Sequence, residues 1–372
     1  MKVLIFLTGF AAALLIVAVI CRILRGKTTT ASTSNREILE NAFGSASSAA
    51  PRIVTIGGGT GLSTLLAGLK AFTRNITAVV AVTDEGGSSG RLRQEWGMLP
   101  PGDIRNCIVA LAENDSSLNR LLNYRFDRGE LEGHSLGNLI LLAITEMAGD
   151  FLKAVEELNR LLAIRGRVLP VTTETIKLKG ITCDGRNING ELEISDNGNK
   201  LDRLWIEPKT AKPINAVKDA IYNADLIVLG PGSLFTSVIP NLLLKEIADL
   251  LHETRVPIVY IANLVTQPRE TEGMNILAHI DWIAGIIGSV PDYVLVNQMP
   301  VPEEFIVRYG NIGARPLYLS EKEEKYLNSL GTRIIYGNYV TVKDGKYLRH
   351  NAQNLSETLL LLARDHMENR GI

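Results

Sequence analysis

Cysteine is scarce in this 372-residue chain: Cys21, Cys107 and Cys183 stand far apart and match no metal-ligand spacing. An odd, sparse set excludes a disulfide framework and fits a reducing compartment. Cys107 lies in the apolar run Cys-Ile-Val-Ala-Leu, which suits a core position better than a nucleophile. Aromatic residues make up only 6% of the chain. An excess of one charge is also lacking, because 39 Lys and Arg against 40 Asp and Glu leave a net charge of −1. That balance removes the basic surplus expected of a nucleic-acid binder. Internal repeats are absent, and no compositional break forces a second domain in the globular part. What is abundant is apolar residues, at 46%, and glycine, 33 in number. This mixture suits a parallel-sheet α/β protein with many tight strand-to-helix turns.

One long hydrophobic run stands at the start. Val3 to Cys21 is 19 positions without a charge, which at a rise of about 1.5 Å per residue nearly crosses a bilayer core. Lys2 precedes it and Arg22, Arg25 and Lys27 follow, so the positive-inside rule leaves the bulk of the chain in the cytoplasm. A cleaved signal peptide is the rival reading; the length of the run and the lack of a small-x-small site before the basic cluster count against it. Residues 1–27 are expected to be a transmembrane anchor. Residues 28–51, rich in Thr, Ser and Ala, read as a flexible linker with a short helix at Arg36–Ala42. Residues 52–372 form the globular domain.

Within that domain, Arg52–Ile56 and Ile76–Val82 are apolar runs of the kind that become buried parallel strands. Between them Leu62, Leu65, Leu66 and Leu69 recur at helical spacing. Helical patterns cover Arg105–Glu113, Ser116–Tyr124, Ser135–Met147 and Phe151–Ile164. Residues 168–206 are short, polar and alternating, and read as a small antiparallel insertion. Asp225–Leu229, Val256–Ala262 and Tyr293–Val296 return to the buried-strand pattern, with helices at Asn275–Ile287 and Asn354–His366. Strands alternating with helices predict a Rossmann-like, doubly wound, mostly parallel sheet.

Ligands of such sheets bind beyond the carboxyl ends of the strands, where the strand order reverses. Three polar loops fall there. Gly57, Gly58, Gly59, Thr60 and Gly61 let backbone N–H groups approach an anion, and the helix that follows adds its dipole. The strict G-x-G-x-x-G fingerprint fails, since Leu62 and Thr64 stand where the last glycine belongs, and no Lys-Ser/Thr pair makes a Walker loop. A nicotinamide dehydrogenase is disfavoured accordingly. Asp84 ends the second strand, where a ribose-binding acid or a magnesium ligand is placed; Glu85 and a mobile Gly/Ser loop holding Ser88 and Ser89 follow. Gly232 and Ser233, after the strand that ends at Leu229, repeat the first turn's logic. Arg105 and Asn106 open a helix and suit a phosphate, with Asp103 a natural N-cap. Asn138, in an otherwise apolar helix, suits a ligand or a loop. Asn263 and Gln267 follow a further strand. A Ser-His hydrolase at His134-Ser135 lacks the strand–Gly-x-Ser-x-Gly–helix context.

Together, GGGTG at Gly57, DEGGSSGRLR at Asp84, PPGDIRNC at Pro100, GHSLGNL at Gly133, GPGSLFTS at Gly230 and TQPRET at Thr266 resemble one family. It is the gluconeogenesis factors of bacteria, related to the 2-phospho-L-lactate transferases of deazaflavin-coenzyme synthesis. The resemblance spans nearly all of the globular part and implies a Rossmann-like fold with a ligand where these loops meet. For the regulatory branch it implies a UDP-sugar ligand and a role in cell-wall synthesis and cell shape during gluconeogenic growth. For the transferase branch it implies transfer of a phospholactyl group from a nucleotide diphosphate donor, with magnesium and with Asp84 as catalytic metal ligand. The GGSSGRLR form resembles the regulatory branch. Glu85 stands where relatives usually carry a second Asp, Arg269 replaces a usual Gly, and Met274 lies where an aromatic is frequent. The diphosphate is expected on Gly57–Gly61 and Gly232-Ser233, and ribose or metal on Asp84. Ser88, Ser89, Arg105, Asn106, Asn138, Asn263 and Gln267 complete the expected pocket. A second copy of the chain, as a homodimer, stays open as a partner.

Overall fold

Aliphatic, β-branched runs flanked by glycine turns bury both faces only in the middle of a layered α/β stack, and that is where they lie. The computed structural model describes residues 50–113 and 117–370. The apolar run Val3–Cys21, the helix expected at Arg36–Ala42 and all but the last two residues of the linker lie outside the described residues. Among the described residues no helix is long and apolar enough to cross a membrane.

Seven strands make one parallel sheet: β1 (Ile53–Gly57), β2 (Ile76–Val80), β3 (Arg167–Pro170), β7 (Leu226–Leu229), β8 (Ile258–Ile261), β9 (Tyr293–Asn297) and β10 (Arg333–Gly337). Their order is β10-β9-β8-β7-β1-β2-β3. β1 pairs with β2 on one side and β7 on the other, both parallel. The winding therefore reverses between β1 and β7, and the turns after these two strands emerge side by side. The doubly wound sheet expected from the sequence is thus present.

A three-stranded antiparallel sheet joins β4 (Lys177–Thr182), β5 (Asn187–Asn189) and β6 (Leu201–Glu207), with a helix at Glu191–Asn197. This unit begins later than the polar pattern suggests, because Arg167–Pro170 pairs with β2 as a strand of the main sheet. A hairpin of β11 (Val340–Lys343) and β12 (Tyr347–His350) precedes the last helix, Ala352–Asn369.

The helix Gly59–Leu69 buries Leu62, Leu65, Leu66 and Leu69 completely. Each fully buried leucine contributes about 1.5–3 kcal/mol relative to an exposed one. The last helix packs against that helix. At their crossing a Cβ on Gly68 would lie 2.5 Å from the Ala352 carbonyl oxygen, so the approach requires glycine. Asp225 precedes β7 rather than opening it. Its carboxylate holds the start of β1, accepting from the Arg52 backbone N–H at 2.8 Å and from the Arg52 guanidinium at 2.9 and 3.0 Å.

Candidate functional site

The two glycine turns touch across the switch point. A Cβ on Gly61 would lie 2.6 Å from the Pro231 carbonyl oxygen, and one on Gly232 would lie 3.2 Å from that of Gly58. Gly59, at φ +66°, occupies the left-handed region that favours glycine. Neither Thr60 nor Ser63 caps the helix. The N-cap is Gly58 without a side-chain bond, while Ser63 Oγ and Thr64 Oγ1 donate back to the Thr60 carbonyl at 3.0 and 2.8 Å.

Both helix starts already hold an acceptor from the chain itself. Asp103 caps no helix of its own; its carboxylate reaches the Gly59 N–H across the cleft. A Cβ on Gly58 would meet its Oδ2 at 2.6 Å. Glu270, 1% exposed, does the same at the second turn. It accepts the Phe235 N–H at 3.0 Å and bonds Thr236 N–H and the Ser233 hydroxyl. Desolvation raises its pKa to about 7, and these hydrogen bonds only partly oppose the rise.

Most of the loop expected after β2 is helical. Gly87–Trp96 is a helix, and Ser88 and Ser89 are buried in its first turn. Their hydroxyls are tertiary ties that hold this turn. Ser88 Oγ bonds His134 Nδ1 at 3.1 Å and accepts from Asn138 Nδ2 at 3.1 Å. Ser89 Oγ accepts the Gly102 N–H at 3.1 Å. Arg105 is also buried, donating to Asn138 Oδ1 at 3.3 Å and Asn123 Oδ1 at 2.8 Å. Burial, then repulsion from Arg125, lowers its pKa to about 10, so it stays charged at neutral pH. Ser88, Ser89, Arg105 and Asn138 thus form a latch between the helices Gly87–Trp96, Gly102–Leu111 and Leu136–Ala148. Asn106 is half-buried on the same helix. Asn138 bonds two helical side chains, Ser88 and Arg105. Ser135 sits at an N-cap position but donates to the Leu122 carbonyl instead.

Asp84 Oδ1 accepts the Gly86 N–H at 2.9 Å. Asp84 and Glu85 stand with Asp103 and Glu191 on one acidic side. Burial, followed by the charges of Asp84, Glu85 and Asp103, raises Glu191 to about 7. Burial and then Asp84 raise Asp103 to about 6. Glu85 is tied to the insertion, accepting the Glu191 N–H at 3.0 Å. Among the described residues no three acidic, imidazole or thiol groups form a ready metal cluster.

Beside the touching turns lies a cavity of about 260 Å³, lined among others by Gly61, Gly232, Ser233, Asn263 and Gln267, all expected from the sequence. Gln267 Nε2 donates to Ser233 Oγ at 2.7 Å, while its buried Oε1 has no partner. Tyr309, Leu348, Arg349 and His350 complete the wall. These last four, with Glu191 and Glu270, carry no sequence signal of the kind glycine turns give. Only Glu270 was within reach, as the acid inside Thr266–Thr271.

A doubly wound sheet with glycine turns meeting at its switch point defines a Rossmann-like ligand-binding protein. The family model of 2-phospho-L-lactate transferase CofD matches residues 53–340. The chain is 44% identical over 313 residues to a putative gluconeogenesis factor of Nostoc sp., covering 83% of this chain and 68% of that one. It is 40% identical over 317 residues to the gluconeogenesis factor of Bacillus subtilis, covering 85% and 99%. A crystal structure of a UPF0052 family protein from Bacillus halodurans superposes with a TM-score of 0.79 at 42% identity, covering 83% and 99%. The chain belongs to the gluconeogenesis factor family, with a CofD-like domain.

Proposed function

We propose that the chain binds a nucleotide sugar of the UDP-sugar class at the switch point, as a regulator supporting cell-wall synthesis and cell shape during gluconeogenic growth. The observation that carries this reading is the cavity that gathers Gly61, Gly232, Ser233, Asn263 and Gln267, with Tyr309 as an aromatic wall for a base. Amides that read a base edge beside hydroxyl and cationic groups suit a nucleotide better than an apolar ligand. The apolar run Val3–Cys21 and its basic flank support a tether to the inner face of the membrane.

Thermal unfolding of the full-length protein tests the ligand. A UDP-sugar at a hundred times its Kd stabilises by about 2.7 kcal/mol. No shift with UDP-sugars at millimolar concentration, together with a shift for NAD, sinks the reading. For the tether, fractionation with and without residues 1–27 decides, and a fully soluble full-length protein refutes it.

A second reading, a phospholactyl-type transferase, is favoured by the acidic side of the cleft. Asp84 lies close enough to Asp103 for its charge, after burial, to help raise Asp103 to about 6, so the pair offers oxygen donors to a hard cation. Magnesium takes one or two carboxylates plus substrate phosphates, so Asp84 and Asp103 would hold it and it would offset phosphate charge. Magnesium-dependent turnover of a phospholactyl donor, abolished by Asp84→Asn, supports this reading; retained turnover removes Asp84 from it.

A further inference from the structure

A cavity of about 780 Å³ lies between β6 of the antiparallel sheet and the helix Ile276–Ile287, and it shares no lining residue with the one at the switch point. Its volume falls inside the ~300–1,000 Å³ usual for small-molecule sites. Two of the three tryptophans of the chain line it, Trp205 from β6 and Trp282 from the helix. Both are half-buried. Trp282 rests edge-on against the fully buried Phe235, with ring centroids 4.9 Å apart, which steadies its plane. Gly285 stands one helical turn beyond Asp281 and Trp282, on the same helix face. Glycine is the poorest residue for a helix interior apart from proline. At Gly61 and Gly68 a close approach requires it, but a Cβ on Gly285 would meet nothing within 4 Å, and its φ is not positive. Neither packing nor backbone conformation calls for glycine here. Its effect is to leave the cavity open.

The polar groups of the cavity are uncommitted. Among the described residues Asp281 makes no hydrogen bond or ion pair, and burial raises its pKa. Lys209 has no carboxylate partner there either; its ammonium lies over the Trp205 ring, 5.6 Å from the centroid. Arg203 is balanced by its neighbour Asp202 at 3.3 Å. These charges select the ligand. A cation on the Trp205 face would meet Lys209, and an anion would meet Asp281. A wholly apolar ligand would take water from both groups and return no hydrogen bond. A neutral ring with apolar faces and a rim of hydroxyls meets every demand. Indole faces take its C–H groups, the Asp281 carboxylate accepts from hydroxyls, and Lys209 and the indole N–H groups donate to them. A pyranose has this shape.

We infer that this cavity is a separate binding site for a neutral pyranose sugar, held against Trp205 and Trp282, with Asp281 and Lys209 on its hydroxyls and Gly285 leaving room for the ring. It stands on its own residues and does not depend on the nucleotide-sugar reading of the switch point.

Tryptophan fluorescence of the full-length protein, in a detergent without a sugar headgroup, tests it. Trp96 is 55% exposed and lies outside the cavity, so Trp96→Phe leaves the two cavity indoles as reporters. Glucose, N-acetylglucosamine and cellobiose are titrated in turn. At least one should give a saturable spectral change, with a Kd of roughly 0.1–10 mM. Gly285→Phe fills the cavity from the helix and should weaken that sugar about tenfold or more. Because a Cβ at this position meets nothing, its unfolding midpoint should not fall. Trp205→Ala removes the platform on the other wall and should weaken the sugar to a similar degree. No saturable change with any of the three sugars overturns the site, as does wild-type affinity in both variants. Saturation by sodium phosphate or tetramethylammonium chloride where the sugars fail overturns the neutral ligand. A wild-type dimer that Gly285→Phe dissociates, seen by analytical ultracentrifugation, makes the groove a contact between copies and overturns the sugar site as well. Stabilisation by UDP-sugars should be the same in Gly285→Phe as in wild type, so the two readings fail separately.

Discussion

Glutamine at position 270 isolates the cost of a buried acid at the switch point. Glu270 is 1% exposed, and burial lifts its pKa from 4.5 to about 7. Between these values the folded protein keeps a proton that the unfolded chain releases. Its contribution to stability is therefore complete below the ordinary carboxylate pKa and is lost as pH rises through about 7. At about 1.4 kcal/mol per pKa unit, the loss attributable to Glu270 is on the order of 3 kcal/mol. With an unfolding entropy of roughly 2 cal/mol/K per residue, that is about 4–5 °C in Tm for a domain of this size. Glu270→Gln cannot titrate. It should be less stable than wild type at pH 5, by about 1–2 kcal/mol, because an amide satisfies fewer of the Phe235, Thr236 and Ser233 donors. By pH 8 the difference should close or change sign. Urea unfolding at intervals from pH 5 to 8 measures both slopes. Asp103 and Glu191 titrate in the same window, so the variant removes part of the slope. A variant whose stability falls with pH as steeply as wild type refutes the reasoning.

Three other perturbations probe the frame around the cleft. Gly61→Ala places a methyl group 2.6 Å from the Pro231 carbonyl oxygen; it should cost about 1–3 kcal/mol in urea unfolding, and an unchanged midpoint refutes the close approach. Asn138→Ala leaves Ser88 and Arg105 each short of a buried partner, so a loss of about 2–3 kcal/mol is expected by the same measurement, and a loss under about 0.5 kcal/mol shows that the latch carries no strain-free load. Asp103→Asn keeps an acceptor for Gly59 but removes a charge that helps to raise Glu191; carboxyl NMR should show Glu191 titrating below its wild-type value, and no movement refutes the coupling.

The sheet was legible because its strands are buried on both faces. Ile53–Gly57 and Ile76–Val80 have no exposed face to confuse the pattern. Their glycine turns were legible because close approach leaves no other residue type. The helix Gly87–Trp96 was not, since its average composition is polar and glycine and serine fill its first turn. What orders it is tertiary: Ser88 on Asn138 and Ser89 on Gly102. The exposed strands of the β11–β12 hairpin carry no strong alternation, so neither the hairpin nor Arg349 stood out. Asp103 looked like a cap for its own helix, because sequence shows local partners only. Its actual partner, the Gly59 N–H, lies on another element.

That partner changes what the glycine turn does. A bare helix start offers its N–H groups to phosphate, but here Asp103 holds Gly59 and Glu270 holds Phe235. A phosphate oxygen aimed at the same N–H groups would meet a carboxylate, and two unit charges about 4 Å apart repel by about 4 kcal/mol at the dielectric typical of protein surfaces. On the nucleotide-sugar reading, the diphosphate is therefore displaced from the helix axes toward Arg349, which lines the cavity. The glycines then serve chiefly to let the β1 and β7 loops touch. The two arrangements differ in pH dependence. A nucleotide sugar carries no phosphate group that titrates between pH 6 and 8, so affinity on the Arg349 side should change by less than about threefold over that range. Binding on the helix starts would require Asp103 and Glu270 to be protonated, which their values of about 6 and about 7 make increasingly common on acidification. An affinity that climbs about tenfold or more from pH 8 to pH 6 would return the phosphates to the glycine turn and remove Arg349 from the diphosphate.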